Sequence, residues 1–229
     1  MNERGGESTF SFDEERIRER LLSVDSPARV SLSHAGFENA AVLFLLVAHA
    51  PPRPYDLVLF RRAKNANDRH SGEISFPGGR REARDRTLVD TALRECEEEL
   101  GIPREKITVL GCFDDYSSPK RFIITPVVGY ICPPFHMTEN AAEVDEIIQV
   151  PIDFFTRKDH YSDTIYELDG EKLAIARYEH TSSEGKKHVI WGATGHLIAR
   201  YVELVHGISL MTPSARRAMP ADFVRLYRR

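Results

Sequence analysis

The sequence predicts an α/β fold in which helices cover a mixed β-sheet. Three observations predict it: β-branched and aromatic runs of strand length, two longer segments with helical periodicity, and a glycine turn leading into one of those helices. A chain of 229 residues that is 41% hydrophobic has enough apolar side chain for one main core with extensions. The expected division is a helical extension over 1–35, a main domain over 36–206 and a basic extension over 207–229.

Taken in order, residues 12–24 place Ile17, Leu21 and Leu22 at helical spacing and predict an amphipathic helix packed on the main domain. From Ala41 onward the runs AVLFLLV, DLVLF, ITVLGCF and FIITPVVGYIC, separated by Pro, Gly and Asn, predict strands of a mixed sheet. Between them, Thr87 to Leu100 aligns Val89, Ala92, Leu93, Cys96 and Leu100 in an apolar stripe, and Gly101 and Pro103 stop that helix. A second helix is expected over Gly192 to Val205, with Leu197, Ile198, Tyr201, Val202 and Val205 at helical spacing. Arg216, Arg217, Arg225, Arg228 and Arg229 read either as a solvated helix or as a basic arm for phosphates, the solvated reading being favoured.

Composition excludes several classes. The longest apolar run, Ala40 to Ala50, falls far short of the roughly 20 residues a membrane-spanning helix needs, so no membrane association is expected. No apolar signal segment follows Met1, and the acids Glu3, Glu7, Asp13, Glu14 and Glu15 argue against a presequence, so a cytoplasmic location is expected. Cys96, Cys112 and Cys132 form no C-x-x-C pair and predict reduced thiols. A net charge of -4, with acids concentrated between Glu95 and Glu99, speaks against a nucleic-acid partner and leaves small anionic substrates with metal.

The chemistry concentrates in Phe76 to Ile102, FPGGRREARDRTLVDTALRECEEELGI. Residues three and four apart on a helix share a face, so Glu95, Glu98 and Glu99 are expected together while Cys96 and Leu100 face the core. Crowded carboxylates repel one another and call for a counter-cation; hard oxygen ligands suit Mg²⁺ or Mn²⁺, which also bind substrate phosphates. The competing reading is a solvated helix with Arg94 pairing Glu98 at i, i+4. The upstream Gly78-Gly79 turn weighs against it, because glycine lets backbone approach the site and offer a carbonyl ligand.

This segment resembles the Nudix box, G-x5-E-x7-R-E-U-x-E-E-x-G-U with U aliphatic. Arg94, Glu95, Cys96, Glu98, Glu99, Gly101 and Ile102 fall on its second half and Gly79 on its first glycine. Asp85 stands for the first glutamate, and eight residues rather than seven separate it from Arg94. Both departures resemble the coenzyme A pyrophosphatase branch of that superfamily. So does the upstream stretch V-L-F-R-R-A, then R-H-S-G-E-I-S-F-P-G-G, which brings Arg62, Ala63, Gly72 and Phe76 to Gly79 onto that branch's signature; Arg69 is displaced by two positions from its arginine. The resemblance covers roughly Val42 to Val205.

The resemblance implies a Nudix-like α/β/α sandwich with a mixed β-sheet and a catalytic loop-helix-loop, and a metal-dependent enzyme that cleaves coenzyme A or a derivative to 3′,5′-ADP and (acyl-)4′-phosphopantetheine. Its metal, Mg²⁺ or Mn²⁺, would be held by Glu95, Glu98, Glu99 and the Gly78 carbonyl. Arg94 would orient a neighbouring carboxylate, and Glu95 or Glu143 would serve as general base. An alternative places Glu143 as the N3 acid of a capping box opened by Asn140. Substrate contacts would come from Arg62, Arg69, Gly72, Phe76 and Gly79, with Arg61, Lys64 and His70 nearby. Two alternatives stay open: action on ADP-ribose or another nucleoside diphosphate derivative, and a Nudix-like module that senses a nucleotide without cutting it. A homodimer is left open as well.

Overall fold

The hydrophobic runs become a mixed sheet whose central strand is buried on both faces. The computed structural model describes residues 10–64, 71–118, 121–219, 222 and 225. Near its start, α1 (Glu14–Arg18) is capped by the Asp13 side chain, which accepts from the Arg16 amide at 3.0 Å. The helix is shorter than its periodicity predicts because the backbone turns to pair elsewhere: Leu22 and Cys112 exchange both amide hydrogen bonds, at 2.9 and 2.7 Å. Ile17 and Leu21 still reach the core.

The main sheet is built from β1 (Glu38–Val47), β2 (Asp56–Arg62), β3 (Ile74–Ser75) and β4 (Gly78–Arg80), followed by α2 (Leu88–Leu100). It is completed by β5 (Thr108–Cys112), β6 (Tyr116–Ser117), β7 (Phe122–Ile131) and β8 (Val144–Pro151). β1 runs parallel to β7 along all ten of its residues, from Glu38 opposite Phe122 to Val47 opposite Ile131. The remaining pairings, β2 with β1, β3 and β8, β4 with β1, and β5 and β6 with β7, are antiparallel.

The period of two along a strand sorts β1 into two cores. Leu43, Leu45 and Val47 pack with Ala92, Cys96 and Leu100 of α2. Phe44 and Leu46 face the opposite core. Burial of each such side chain contributes about 1.5–3 kcal/mol, which fixes the sheet register and with it the position of α2.

The second layer was not foreseen in the sequence. β9 (Tyr161–Leu168) and β10 (Glu171–Thr181) form a hairpin, β11 (Lys187–Ile190) returns antiparallel on β10, and α3 (Gly192–His206) packs between this sheet and the main one. α3 matches its expected span and ends in left-handed Gly207. The arginines beyond it join the fold: β12 (Arg216–Arg217) pairs with β10. Arg217 is buried, donating to Glu203 at 2.8 Å and to the Tyr161 hydroxyl at 3.1 Å, and Arg216 pairs with Glu171 and Asp222. These two are neither a solvated face nor a free phosphate arm; Arg228 and Arg229 lie outside the described residues. Among those described, no helix is long and apolar enough to cross a membrane.

Candidate active site

α2 is fixed at both ends by local chemistry. Thr87 and Asp90 form a capping box, the Thr87 hydroxyl accepting from the Asp90 amide at 3.1 Å and the Asp90 carboxylate from the Thr87 amide at 3.0 Å. At the other end Gly101 takes a left-handed φ of 65° and donates to the Glu97 carbonyl. With Ala92, Cys96 and Leu100 pinned in the core, the rotation of the helix is set and Glu95 and Glu99 are carried to the β4 turn.

Two glycines there leave no free room for a side chain, for different reasons. Gly78 has φ 153°, and a Cβ there would lie 2.6 Å from the Val42 Cα. At Gly79 a Cβ would lie 2.5 Å from the Glu95 carboxyl carbon. The carboxylate of Glu95 thus rests directly against backbone, and the Gly78 amide donates to Glu99 Oε2 at 2.9 Å.

Arg94 organises the acids. Its side chain is only 10% exposed. Nε and Nη2 donate to the two oxygens of Asp85 at 2.9 and 3.0 Å, and Nη2 also reaches the Arg80 carbonyl at 3.0 Å. Nη1 donates to Glu95 at 2.8 Å and to Glu98 at 2.9 Å. Asp85 also accepts from the Glu82 amide at 2.8 Å and the Thr91 hydroxyl at 3.0 Å. Arg94 first, then the Glu82 amide and Thr91, hold the buried Asp85 carboxyl well below the usual carboxylate range despite the opposing effect of burial. The outer acid of the pattern is therefore a buttress for Arg94 here. Its register, one residue further from Arg94 than in the pattern, was the available signal.

The acids facing the turn behave differently. Burial pushes the Glu99 carboxyl up to about 8; the Gly78 amide and Arg62 oppose this, while Glu95 and Glu143 add to it. Burial also raises Glu95 against the pull of Arg94, with Glu98 and Glu143 contributing. Glu95, Glu99, Glu143 and Arg62 thus share one electrostatic neighbourhood. Glu98 leans away, 44% exposed and held by Arg94 and by Arg84 at 2.8 Å.

In this arrangement no three His, Cys, Asp or Glu side chains converge on a single metal position among the described residues. The donor set nevertheless fits a hard divalent cation. It consists of carboxylates that raise one another's proton affinity, and a cation among them would offset that repulsion.

Other expected residues divide between site and scaffold. No helix begins at Asn140: its side chain accepts from the Ala142 amide at 3.2 Å and its carbonyl from Glu143 and Val144, forming a turn rather than a capping box. Glu143 is held by its carbonyl, which accepts from Ala63 at the end of β2 at 2.8 Å. Gly72, with φ 78°, donates to the Arg62 carbonyl at 3.1 Å and shapes the chain behind that arginine. Phe76, expected at the substrate, is 2% exposed and stacked on Phe44 with ring centroids 4.0 Å apart; it is a core side chain, as its size and lack of polar atoms favour. Arg61 turns to His188 at 2.8 Å and Glu146 at 3.2 Å, and Lys64 is exposed. Arg69 and His70 lie outside the described residues.

An acid-bearing helix docked on a pair of glycines beside a mixed sheet offers hard oxygen ligands close to backbone, chemistry that suits a cation-assisted hydrolase. A family model described as the NUDIX domain matches residues 38–171. The Pectobacterium atrosepticum protein described as an uncharacterized Nudix hydrolase NudL is 35% identical over 160 residues, covering 70% of this chain and 79% of its own length. Nudix hydrolase 22, chloroplastic, of Arabidopsis thaliana is 28% identical over 208 residues, covering 86% of this chain and 67% of its own. Among solved structures, the Nudix hydrolase RenU of M. smegmatis aligns with a TM-score of 0.43 and 23% identity over 58% of this chain and 79% of that one. The chain belongs to the Nudix superfamily, hydrolases that act on phosphoric anhydrides of small nucleotide derivatives with the help of divalent metal ions.

Proposed function

We propose that this hydrolase cleaves coenzyme A or a derivative to 3′,5′-ADP and (acyl-)4′-phosphopantetheine, using Mg²⁺ or Mn²⁺. The observation that carries the reading is the placement of Glu95 and Glu99 against Gly79 and Gly78, with the charges of Glu143 and of Arg62 from the upstream signature acting on Glu99. The reading takes residues 36–206 as the hydrolase domain and 1–35 and 207–229 as extensions.

Glu95, Glu98, Glu99 and the Gly78 carbonyl are the groups that would hold metal. When bound, the cation offsets charge that develops on the pyrophosphate oxygens as water attacks phosphorus. Glu98 reaches the cluster by releasing Arg84, an exposed and weakly held partner. Arg94 keeps Glu95 in place and binds no metal itself. Glu143 is the base that deprotonates or orients the attacking water: its charge acts on both Glu95 and Glu99, whereas Glu95 already has one oxygen engaged by Arg94. Arg62 meets the phosphate charge of the substrate.

Mass spectrometry of the products tests the reading, with coenzyme A, ADP-ribose and NADH incubated separately with and without Mg²⁺ or Mn²⁺. Metal-dependent 4′-phosphopantetheine should form fastest, and Glu99→Gln should abolish it. Cleavage of ADP-ribose or NADH alone would overturn the choice of substrate.

A further inference from the structure

We propose that the cleft between the 133–139 loop and the 182–186 turn holds the uncharged, amide-bearing arm of the substrate, which is the pantetheine half on the coenzyme A reading given above. The inference rests on that reading and extends it to a part of the molecule that the acid cluster does not touch.

The cleft has a volume of about 920 Å³, within the roughly 300–1,000 Å³ that small-molecule sites occupy. Its floor is the α2 side of the sheet, where Val47, Ile147, Phe135 and Met137 offer apolar surface continuous with the core beneath. Position ties it to the reaction. β8 begins directly after Glu143, and its Asp145, Glu146, Ile147 and Gln149 all line the cleft, the pairing with β2 being irregular between Val144 and Glu146. At about 3.3 Å per residue, this row leads away from the acid cluster for about 13 Å. A chain leaving a phosphate at the cluster would lie along it.

Charge decides which half of the substrate fits. Four acids, Glu139, Asp145, Glu146 and Glu184, line the cleft against two cations, Arg53 and Lys186. Both cations are already engaged: Arg53 with Asp56 at 3.0 Å, Lys186 with Glu146 at 3.4 Å and Glu184 at 3.6 Å. A phosphorylated nucleoside would meet net negative charge here, whereas an uncharged chain would not. Gln149, Ser182 and Ser183 supply donors and acceptors for its amides and hydroxyl. The 182–186 turn joins β10 and β11, so the second sheet acquires a purpose: it builds the outer wall of the arm site.

Product inhibition separates the two halves of the substrate within one experiment. With coenzyme A and Mg²⁺, inhibition constants are measured for 4′-phosphopantetheine and for 3′,5′-ADP. Gln149 is exposed, so Gln149→Trp fills the cleft without disturbing a core. It should raise the constant for 4′-phosphopantetheine about tenfold, the scale of one lost pocket contact, and leave that for 3′,5′-ADP within twofold. Ile147→Ala, which enlarges the floor instead of blocking it, should shift the same constant in the same direction. Equal changes for both inhibitors, or none for either, overturn the arm site alone. Absence of coenzyme A turnover by the wild-type protein overturns the proposed function, and the arm site with it.

Discussion

Arg94 and Asp85 are joined by two parallel hydrogen bonds, Nε to Oδ1 at 2.9 Å and Nη2 to Oδ2 at 3.0 Å, with both side chains almost fully buried. The planar fork is therefore fixed before it meets any glutamate, and its remaining nitrogen presents hydrogen to Glu95 and Glu98 from a rigid base.

Asp85→Asn keeps the shape of the buttress and removes its charge. Removing the charge of the most buried of Arg94's carboxylate partners should cost about 3 kcal/mol in urea unfolding, and kcat should fall more than KM changes. If Asp85 bound metal directly, Mg²⁺ affinity would drop while stability stayed the same, and that result would refute the buttress role.

The two glycines of the turn should respond differently to alanine. At Gly79 the new methyl group meets only the movable end of Glu95, so Gly79→Ala should fold with a nearly unchanged melting temperature and lose activity about 100-fold through a displaced carboxylate. At Gly78 the methyl meets β1 backbone at a φ that disfavours side chains, so Gly78→Ala should yield little folded protein. Comparable melting temperatures for the two variants would count against this distinction.

Glu99 makes the metal-free protein sensitive to alkali. Its folded pKa, about 8, exceeds the roughly 4.3 of an unfolded glutamate, so between these values the folded state binds the extra proton. The resulting stability is fully present below about 4.3 and is lost as pH rises toward 8. Melting temperatures of the metal-free protein should fall from pH 5 to pH 9, and Glu99→Gln should flatten that slope. Mg²⁺ should stabilise most at the alkaline end, where the carboxylate is charged; a slope identical in wild type and variant would dismiss the assignment.

Arg217 should matter for folding rather than chemistry. Arg217→Ala leaves Glu203 without its main buried partner, at a cost of about 3 kcal/mol, read as a lower urea midpoint. An unchanged midpoint would mean that β12 is only loosely docked.

The sequence was most legible where one periodicity ran without interruption. The stripe of Ala92, Cys96 and Leu100 locates α2 to within a residue, and the apolar run of β1 marks the strand between two cores. β9 was hidden because four consecutive residues, Thr164 to Glu167, are exposed, which erases the alternation a half-buried strand displays. The helical spacing that brings Glu95 and Glu99 to Gly79 and Gly78 was legible, whereas Glu98, expected beside them, is held outward by Arg84. The grip of Arg94 on Asp85 could not, since it depends on how the intervening loop folds back. Phe76 was misjudged because a motif position says nothing about which way a side chain points.

The ten-residue parallel pairing of β1 with β7 also bears on how the site comes into being. Glu38 and Phe122 are distant in sequence, and the chain between them includes β2, β4 and α2. β4 is bonded to β1 at Ala40 to Val42, so the glycine turn is anchored to a strand that cannot settle until the second half of the domain has been synthesised. Such non-local pairing folds slowly. Once formed, it places Gly78 and Gly79 beside the strand whose amides should exchange last with solvent, making the seat of the acids among the most rigid backbone in the protein rather than a loop that opens and closes.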